Sequence, residues 1–383
     1  MGLLKDLLKP LAEDGAALTR EQASAVLKEI LAGVPEVETA ALLAVLATRG
    51  EQAPELAGFV DVMRAHVTPL PFLDAEREQL VDCVGTGGGG PQTFNISCGA
   101  ALVAAAAGAK VAKHGNRAVT SRCGAADVLE ALGVPIELKP ELAVECLRET
   151  GFVFLFAPFY HPAMKVVGPL RRALGFRTIF NLCGPLTNPA GARAQVIGVL
   201  APSKVLLVGR ALVALGARRA FVVHGSDGID ELTTTGESVV ARVEESAADS
   251  AADKSTLHPG NSSSPSHASP GTPVLHPSNK NPSLRAARVT PEMAGLPRAR
   301  LEDFVGGDVA TNSALLYDVL TGIAGARRDI VLLNAAAVLV AAGLAGDLKQ
   351  GVAMGAEAID SGQAAATLEK LRQFGKNHAA NAR

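Results

Sequence analysis

The 383-residue sequence contains no tryptophan, and aromatic side chains make up only 4% of it. Its 36 basic and 38 acidic side chains give a formal net charge of −2, and no block of arginine and lysine stands out. Proteins that bind nucleic acids rely on basic surfaces and on aromatic side chains that stack on bases. Nucleic acid is therefore not expected as the main partner of this chain.

The sequence also has no C-x-x-C pair, and neither a secretory signal nor a membrane span is predicted from it. Its cysteines are odd in number and scattered, which argues against a zinc site or a disulfide framework and for a reducing compartment. Residues 1–9 carry alternating charges, unlike a signal peptide. The longest apolar run, residues 330–346, includes Asn334 and predicts a buried helix. A cytoplasmic protein without a membrane partner is expected.

The chain has two parts that differ in the spacing of their apolar residues. Up to about residue 70, apolar residues recur at helical spacing, and Thr19 to Gln22 has the pattern of a capping box. From residue 80 onward, short β-branched runs alternate with helical segments, which is typical of a parallel sheet. The predicted fold is therefore α/β, with a small N-terminal helical domain (residues 1–70) and a larger α/β domain (residues 71–383) whose central, mostly parallel sheet is flanked by helices. Helices near residues 160–190 are expected to join the helical domain. Strands are predicted at residues 80–84, 110–113, 153–156, 195–199 and 220–224.

Residues 245–284 differ from the rest of the chain. They are rich in Ser, Pro, Asn and Ala and hold few apolar anchors, so they cannot bury enough apolar surface to offset the entropy of ordering. A disordered surface insertion is predicted. His258, His267 and His276 recur there every nine residues, but disorder explains them better than a metal site does. Beyond the insertion, residues 300–304 are predicted to form an edge strand or a turn.

A glycine-rich stretch, VDCVGTGGGGPQTFNISC at residues 81–98, follows the first predicted strand. Glycine permits positive φ and a close approach of backbone N–H groups to a ligand. Ser97 is placed where a helix N-cap is expected, next to free N–H groups that attract anions. A Rossmann turn is disfavoured because Pro91 interrupts it, and a P-loop because no Lys-Ser/Thr pair follows. The stretch predicts a phosphate site, with a flexible glycine turn as the alternative.

Three further groups of residues are candidates for chemistry. KHGNRAVTS, residues 113–121, concentrates cations, an amide and hydroxyls at the end of a strand, where α/β sheets bind ligands. Asp230 and Glu231 form a pair of the kind that binds Mg²⁺ beside substrate phosphates. Arg171 is able to hold a carboxylate with two hydrogen bonds. Each group also has a simpler interpretation. Residues 113–121 could form a solvated loop, Asp230 and Glu231 a solvated acidic pair, and Arg171 a surface salt bridge.

Taken together, GTGG…TFNIS, KHGNRAVTS, RRALGFRTIFNLCGPLTNP and HGSDGIDELTTTG resemble the anthranilate phosphoribosyltransferase family, over residues 3–374 apart from the insertion. The resemblance implies a glycosyltransferase of tryptophan biosynthesis that is a homodimer. It also implies that phosphoribose passes from 5-phosphoribosyl-1-pyrophosphate (PRPP) to the amine of anthranilate, with Mg²⁺ as cofactor and two ions possible per subunit.

The family's functional residues carry over by position in its motifs. The resemblance implies catalytic roles for Lys113 and Arg171 and Mg²⁺ ligation by Ser97, Asp230 and Glu231. Lys113 and Mg²⁺ would stabilise the leaving pyrophosphate, and no general base is assigned, the role of His114 being open. Gly85, Asn116 and Arg171 would contact anthranilate. The implied substrate-binding residues are Gly85, Gly88, Gly89, Thr93, Asn95, Ile96, Ser97, Cys98, Lys113, His114, Gly115, Asn116, Arg117, Ala118, Val119, Thr120, Ser121, Ala125 and Arg171.

The chain departs from the family's motifs at four positions. Gly89 stands where the family has Asp, Cys98 where it has Thr, and Cys123 and Ala125 where it has Ser. Ala125 removes a hydroxyl contact to PRPP, and the loss of one neutral hydrogen bond, about 0.5–1.5 kcal/mol, predicts roughly tenfold weaker PRPP binding.

Two other functions are compatible with these motifs. One is a pyrimidine nucleoside phosphorylase-like enzyme of the same fold, which KHGN together with Arg171 disfavours. The other is a non-catalytic relative that binds nucleic acid, which the near-neutral charge disfavours.

Overall fold

The N-terminal part of the chain forms the predicted helical bundle in a computed structural model that describes residues 2–87, 90–118, 122–245 and 282–378. The predicted capping box is present: Thr19 Oγ1 accepts a hydrogen bond from Gln22 N, and Gln22 Oε1 accepts one from Thr19 N. Leu4, Val26, Leu43 and other apolar side chains of the bundle are buried. Its helices are α1 (Leu3–Glu13), α2 (Arg20–Ala32), α3 (Glu36–Arg49) and α4 (Ala53–Ala65).

A seven-stranded sheet forms the centre of the rest of the chain, in the spatial order β3-β2-β1-β4-β5-β6-β7. The first five strands are parallel, as predicted, and the last two are antiparallel. The mostly parallel α/β sheet is therefore confirmed. The strands are β1 (Leu80–Gly85), β2 (Lys110–Gly115), β3 (Phe152–Phe156), β4 (Ala194–Gly198), β5 (Arg219–Gly225), β6 (Ser238–Glu244) and β7 (Ser283–Val289).

The two antiparallel strands were not predicted from the sequence, and β7 corrects one boundary. Ser283 pairs with Glu244 and Leu284 with Val243, so the predicted disordered insertion cannot extend to residue 284. The middle of β7 is exposed and charged, SLRAARV, and therefore lacks the apolar alternation by which strands are recognised. Residues 246–281, with their three histidines, lie outside the described residues.

Helices cover both faces of the sheet, and residue alternation along the strands separates two cores. On β4, for example, Val196 is buried in one hydrophobic cluster and its neighbour Ile197 in the other, as the twofold periodicity of a strand requires. The helices are α5 (Asp74–Arg77), α6 (Ile96–Ala106), α7 (Ala125–Ala131), α8 (Pro140–Thr150), α9 (Ala157–Tyr160), α10 (Met164–Leu174), α11 (Ile179–Leu186), α12 (Pro202–Ala214), α13 (Val309–Leu320), α14 (Ala326–Ala342), α15 (Leu348–Asp360) and α16 (Gln363–His378). Leu301–Phe304, predicted as an edge strand or turn, is a short 3-10 helix.

The helical bundle shares its core with α10, α11 and α12. Phe59 of α4 meets Phe180 of α11 edge to face, with ring centroids 5.6 Å apart, and Val167 of α10 is buried in the same cluster. Arg20 of α2 donates a 2.7 Å hydrogen bond to the carbonyl of Ala214, at the end of α12. The boundary at residue 70, and the assignment of residues 160–190 to the helical domain, stay predictions. No helix in the described ranges is long and apolar enough to cross a membrane.

Candidate active site

Three loops that carry candidate residues meet at one edge of the sheet. They follow β1, β2 and β5, which end at Gly85, Gly115 and Gly225. Because β2, β1, β4 and β5 are parallel neighbours, their carboxyl ends face the same way. This edge is where open α/β sheets bind their ligands, as expected from the sequence for residues 113–121.

The glycine loop after β1 packs directly against the acidic loop after β5. A Cβ added to Gly85 would overlap Oδ2 of Asp230, and one added to Gly198 would overlap the carbonyl oxygen of Asp230. Gly87 adopts φ +59° and its N–H donates to Asp230 Oδ2 at 3.2 Å. Gly198 therefore has no room for a side chain beside the Asp230 backbone, and Gly85 has room only if the Asp230 carboxylate moves.

Asp230 and Glu231 form a crowded pair of like charges. Burial raises the pKa of Glu231 well above its usual range, and the adjacent Asp230 raises it further, while Lys113 opposes the shift. Oε2 of Glu231 is buried without a hydrogen-bond partner among the described residues. A divalent cation would neutralise the pair and satisfy this oxygen. An all-oxygen donor set is what Mg²⁺ prefers, so the two carboxylates fit that ion.

Lys113 is the buried cation of the site, with 1% of its surface exposed. Its Nζ donates to the carbonyl of Cys83 and, at 3.4 Å, to Oγ of Ser97. Burial lowers the pKa of Lys113, but the surrounding Cys98, Cys83, Asp82 and Glu231 outweigh it and leave the pKa above its usual value. Lys113 is therefore a fixed positive charge between the β1 strand and the start of α6.

The polar run before α6 is anchored by residues more than 200 positions away. Asn95, not Ser97, is the N-cap, and Ser97 is the second residue of the helix, which corrects the predicted cap. Nδ2 of Asn312 donates to Oδ1 of Asn95 at 3.0 Å, and Thr93 forms an isolated bridge with Val305.

The candidate residues at the start of α6 differ in how far they are exposed to solvent. Ser97 and Asn95 are half-buried at the edge of the sheet. The side chains of Ile96 and Cys98 are fully buried in the core, and their predicted roles in substrate binding stay predictions. Burial raises the pKa of the Cys98 thiol, although Lys113 opposes this.

The loop after β2 is organised by Asp127, the third residue of α7. Oδ2 of Asp127 accepts hydrogen bonds from the N–H groups of Ala118 and Gly124, at 3.0 and 2.9 Å. Oδ1 accepts from Arg117 at 3.0 Å, and Arg117 also pairs with Glu130. Arg117 is thus engaged by carboxylates of its own loop and helix, and its charge is partly neutralised.

Other residues of this loop have defined places. Oδ1 of Asn116 accepts a hydrogen bond from the backbone N–H of Arg117 at 2.8 Å. The Cβ of Ala125, the first residue of α7, lies 3.4 Å from the position a Cβ would take on Gly115. Ala125 therefore adjoins the end of β2. The candidates Gly88, Gly89, Val119, Thr120 and Ser121 lie outside the described residues.

His114 and His161 form a buried pair beside this loop. Their Nε2 atoms are 3.1 Å apart, so one ring donates and the other accepts. Burial lowers the pKa of His161 to about 4, and burial together with His161 lowers the pKa of His114 well below its usual value. Both rings are therefore neutral near pH 7. His161 was not selected from the sequence, because it lies 47 residues from its partner and no local pattern links the two.

Arg171 lies on α10, near α11. Its guanidinium carbon is 5.6 Å from the centroid of the Phe180 ring. Burial lowers its pKa, which the Cys183 thiol opposes. Arg171 forms no ion pair with a carboxylate in the part of the chain that the structure describes, so the surface salt bridge is not observed.

Two further polar residues that support the site were not selected from the sequence. Asn334 of α14 holds the backbone of Leu232, next to Glu231, and Asn312 holds Asn95. The sequence did offer an indication for Asn334, since a lone amide interrupts an apolar run. For Asn312 there was none.

Comparisons with known proteins cover nearly the whole chain. Residues 5–67 match the helical bundle domain of a glycosyl transferase family, and residues 77–263 and 266–365 match its a/b domain. The anthranilate phosphoribosyltransferase of Methylorubrum extorquens is 46% identical over 93% of this chain and 94% of its own. The crystal structure of the Thermus thermophilus anthranilate phosphoribosyltransferase has a TM-score of 0.80 and 41% identity, covering 98% of this chain and 99% of the other.

A more distant structure, the Saccharomyces cerevisiae anthranilate phosphoribosyltransferase in complex with PRPP and Mg, shares the fold. Its TM-score is 0.77 at 24% identity, over 98% of both chains. Both family domains, long matches above 40% identity and the sheet-edge site agree with one another. The chain belongs to the anthranilate phosphoribosyltransferase family.

Proposed function

We propose that this chain transfers the 5-phosphoribosyl group of PRPP to the amine of anthranilate in tryptophan biosynthesis. A bond forms between the amine nitrogen and C1 of the ribose, the bond from C1 to pyrophosphate breaks, and the amine loses a proton. The observation that carries the proposal is the convergence of Lys113, Ser97 and the Asp230–Glu231 pair at one sheet edge, in a member of this family.

PRPP would lie along the three loops at this edge. The backbone of the glycine loop and the start of α6 offer N–H groups and the positive end of a helix dipole to its phosphates. Thr93, Asn95 and Ser97 add polar side chains there. The end of β2 and the loop that follows it, from Lys113 to Ser121, would close the other side.

Asp230, Glu231 and Ser97 would hold Mg²⁺, and a second ion per subunit is part of the proposal. Bound Mg²⁺ supplies positive charge that neutralises the pyrophosphate as it leaves. Asp230 is positioned for this by Gly85, Gly87 and Gly198, which let the acidic loop approach β1 and β4.

Lys113 would act on the leaving group by electrostatics. Negative charge develops on pyrophosphate as its bond to C1 breaks, and a buried cation stabilises such charge more strongly than a solvated one does. The charge of Lys113 is maintained because its pKa lies above the usual value for lysine despite its burial. Anthranilate's aryl amine is neutral at pH 7, so correct positioning against C1 suffices. No general base is assigned.

Arg171 would hold the carboxylate of anthranilate, and Gly85 and Asn116 would adjoin the acceptor. A guanidinium without a carboxylate partner in the described ranges is available for two parallel hydrogen bonds to a substrate carboxylate. We also propose, from the family resemblance, that the enzyme is a homodimer in the cytoplasm. Light scattering of the purified protein tests the dimer.

One assay tests the proposed reaction. Purified protein with PRPP and Mg²⁺ should consume anthranilate, seen as a loss of its fluorescence, and omission of either PRPP or Mg²⁺ should abolish the loss. A parallel reaction with a pyrimidine nucleoside and phosphate tests the related phosphorylase activity. Release of free base there, with no consumption of anthranilate, would overturn the proposal.

A further inference from the structure

We propose that Asn334 is a positioning residue that fixes Asp230 and Glu231 in the geometry that binds the metal. This inference rests on the proposed function. Asn334 lies in the middle of α14 with 2% of its surface exposed, and its neighbours from Ile330 to Ala341 are buried and apolar. A buried amide is costly unless its hydrogen bonds are satisfied, so its partners indicate its role.

The partners of Asn334 lie next to the acidic pair. Oδ1 of Asn334 accepts a hydrogen bond from the N–H of Leu232 at 3.0 Å, and Nδ2 donates to the carbonyl of Leu232 at 2.9 Å. Nδ2 of Asn334 also donates a second hydrogen bond, of 2.9 Å, to the carbonyl of Ile330 within α14. Leu232 is fully buried, so one side chain 102 residues away satisfies both of its backbone polar groups.

This pair of hydrogen bonds fixes the backbone immediately after Glu231. On the other side, Asp230 is held against Gly85 and Gly198 by close packing and by the N–H of Gly87. Asp230 and Glu231 are adjacent in the sequence, so their like charges repel each other when both are ionised. The contacts on both sides hold the two carboxylates close together before a cation binds. The free-energy cost of ordering the carboxylates around the cation is therefore lower.

A purely structural role for Asn334 makes a different prediction. If the amide only stabilised the core, its loss would lower the melting temperature without changing the affinity for metal. If it positions the carboxylates, metal affinity should fall about 10- to 100-fold, as happens when a residue that supports metal ligands is removed.

The experiment compares Asn334→Leu with Val338→Ala, which alters a fully buried apolar residue one turn along the same helix. Mn²⁺ binding is measured by electron paramagnetic resonance with PRPP present and anthranilate absent, so no turnover occurs. We expect Asn334→Leu to weaken Mn²⁺ binding about tenfold or more and Val338→Ala to leave it unchanged. Equal Mn²⁺ affinity in wild type and Asn334→Leu would overturn the proposal.

Two further measurements protect the test against a variant that fails to fold. Asn334→Ser, a milder change, should show the same weakening of Mn²⁺ binding in smaller degree. In the wild-type protein, hydrogen exchange at the Leu232 amide should be as slow as in the core of α14, and exchange as fast as in exposed loops would contradict the anchor. If the wild-type protein shows no Mg²⁺-dependent transfer, the proposed function fails, whereas normal Mn²⁺ binding by the Asn334 variants refutes only the positioning role.

Discussion

Gly85 and Asp230 occupy mutually dependent positions: the missing Cβ of the glycine leaves the space that the aspartate carboxylate fills. A Cβ at residue 85 would overlap Oδ2 of Asp230, which also accepts a hydrogen bond from Gly87 N. The end of β1 and the acidic loop after β5, 145 positions apart by number (230 − 85), therefore form one wall of the site.

Replacing Gly85 with Ala should displace the carboxylate of Asp230 and lower kcat/KM roughly 100-fold, the cost of misplacing a reacting group by about 1 Å. Gly375→Ala, on α16, is the matched control, because a Cβ at residue 375 would make only ordinary contacts of 3.4–3.6 Å with Pro135. Steady-state rates of anthranilate consumption measure both variants. Near-normal kcat/KM in Gly85→Ala would show that the carboxylate position is not required.

Replacing Arg171 with Ala should raise the KM for anthranilate roughly 10- to 100-fold, since a charge-assisted hydrogen bond contributes about 1.5–3 kcal/mol. The KM for PRPP should stay nearly constant. The exposed neighbour Arg172 provides the control variant Arg172→Ala, which should behave as wild type. An equal rise in both KM values would contradict the assignment of Arg171 to the anthranilate carboxylate.

Replacing Ala125 with Ser should strengthen PRPP binding, because it restores the hydroxyl that the family has at this position. One neutral hydrogen bond of about 0.5–1.5 kcal/mol predicts up to a roughly tenfold lower KM for PRPP. Ala131→Ser, at an exposed position near the end of the same helix, is the control. If Ala125→Ser leaves the KM for PRPP unchanged, the departure at Ala125 has no effect on substrate binding.

The buried pair His114 and His161 should make the protein less stable in acid. Burial lowers the pKa of His161 to about 4 in the folded state, whereas the unfolded chain binds the proton near pH 6.5. The unfolded state therefore gains protons first, and His161 should remove about 3 kcal/mol from the free energy of unfolding as the pH falls from 6.5 to 4.

Urea unfolding of wild type and His161→Gln, at several pH values between 7 and 4, measures this effect as a difference. That comparison removes the contribution of Asp82, which has the opposite sign because burial raises its pKa to about 6. The gap in stability between the two proteins should narrow as the pH falls. A gap that stays constant over this range would show that His161 is readily protonated in the folded state.

Deleting residues 246–281 and joining Glu245 to Pro282 through Asn-Gly should leave activity and melting temperature nearly unchanged. The ends can be joined because Glu244 and Ser283 are paired neighbours on β6 and β7, and Asn-Gly suits a tight hairpin turn. A longer deletion through Val289 should lower the melting temperature, since it removes β7 and the packing of Leu284 against α12. Loss of activity in the shorter deletion alone would show that the insertion takes part in function.

Much of the candidate site followed from local sequence. The motif at residues 113–121 and the Asp230–Glu231 pair each follow a strand that the β-branched runs already indicated. Parallel strands bring such loops to one edge, so their convergence could be predicted. The N-cap could not be placed correctly, because Asn95 and Ser97 are both good capping residues and local sequence does not distinguish them. The hydrogen bond that Asn95 accepts from Asn312, 217 residues away, could not be predicted either.

The sequence by itself determined the α/β class, the helical bundle and the family, because helical spacing, strand composition and motifs are properties of neighbouring residues. The tertiary structure alone decided which polar groups pair: His114 with His161, Leu232 with Asn334, and β6 with β7 across the residues between them. These contacts join positions far apart in the chain. Burial in the tertiary structure also decides the pKa values of the site residues. The pKa of a carboxyl, lysine or imidazole group depends on how much water and which charges surround it.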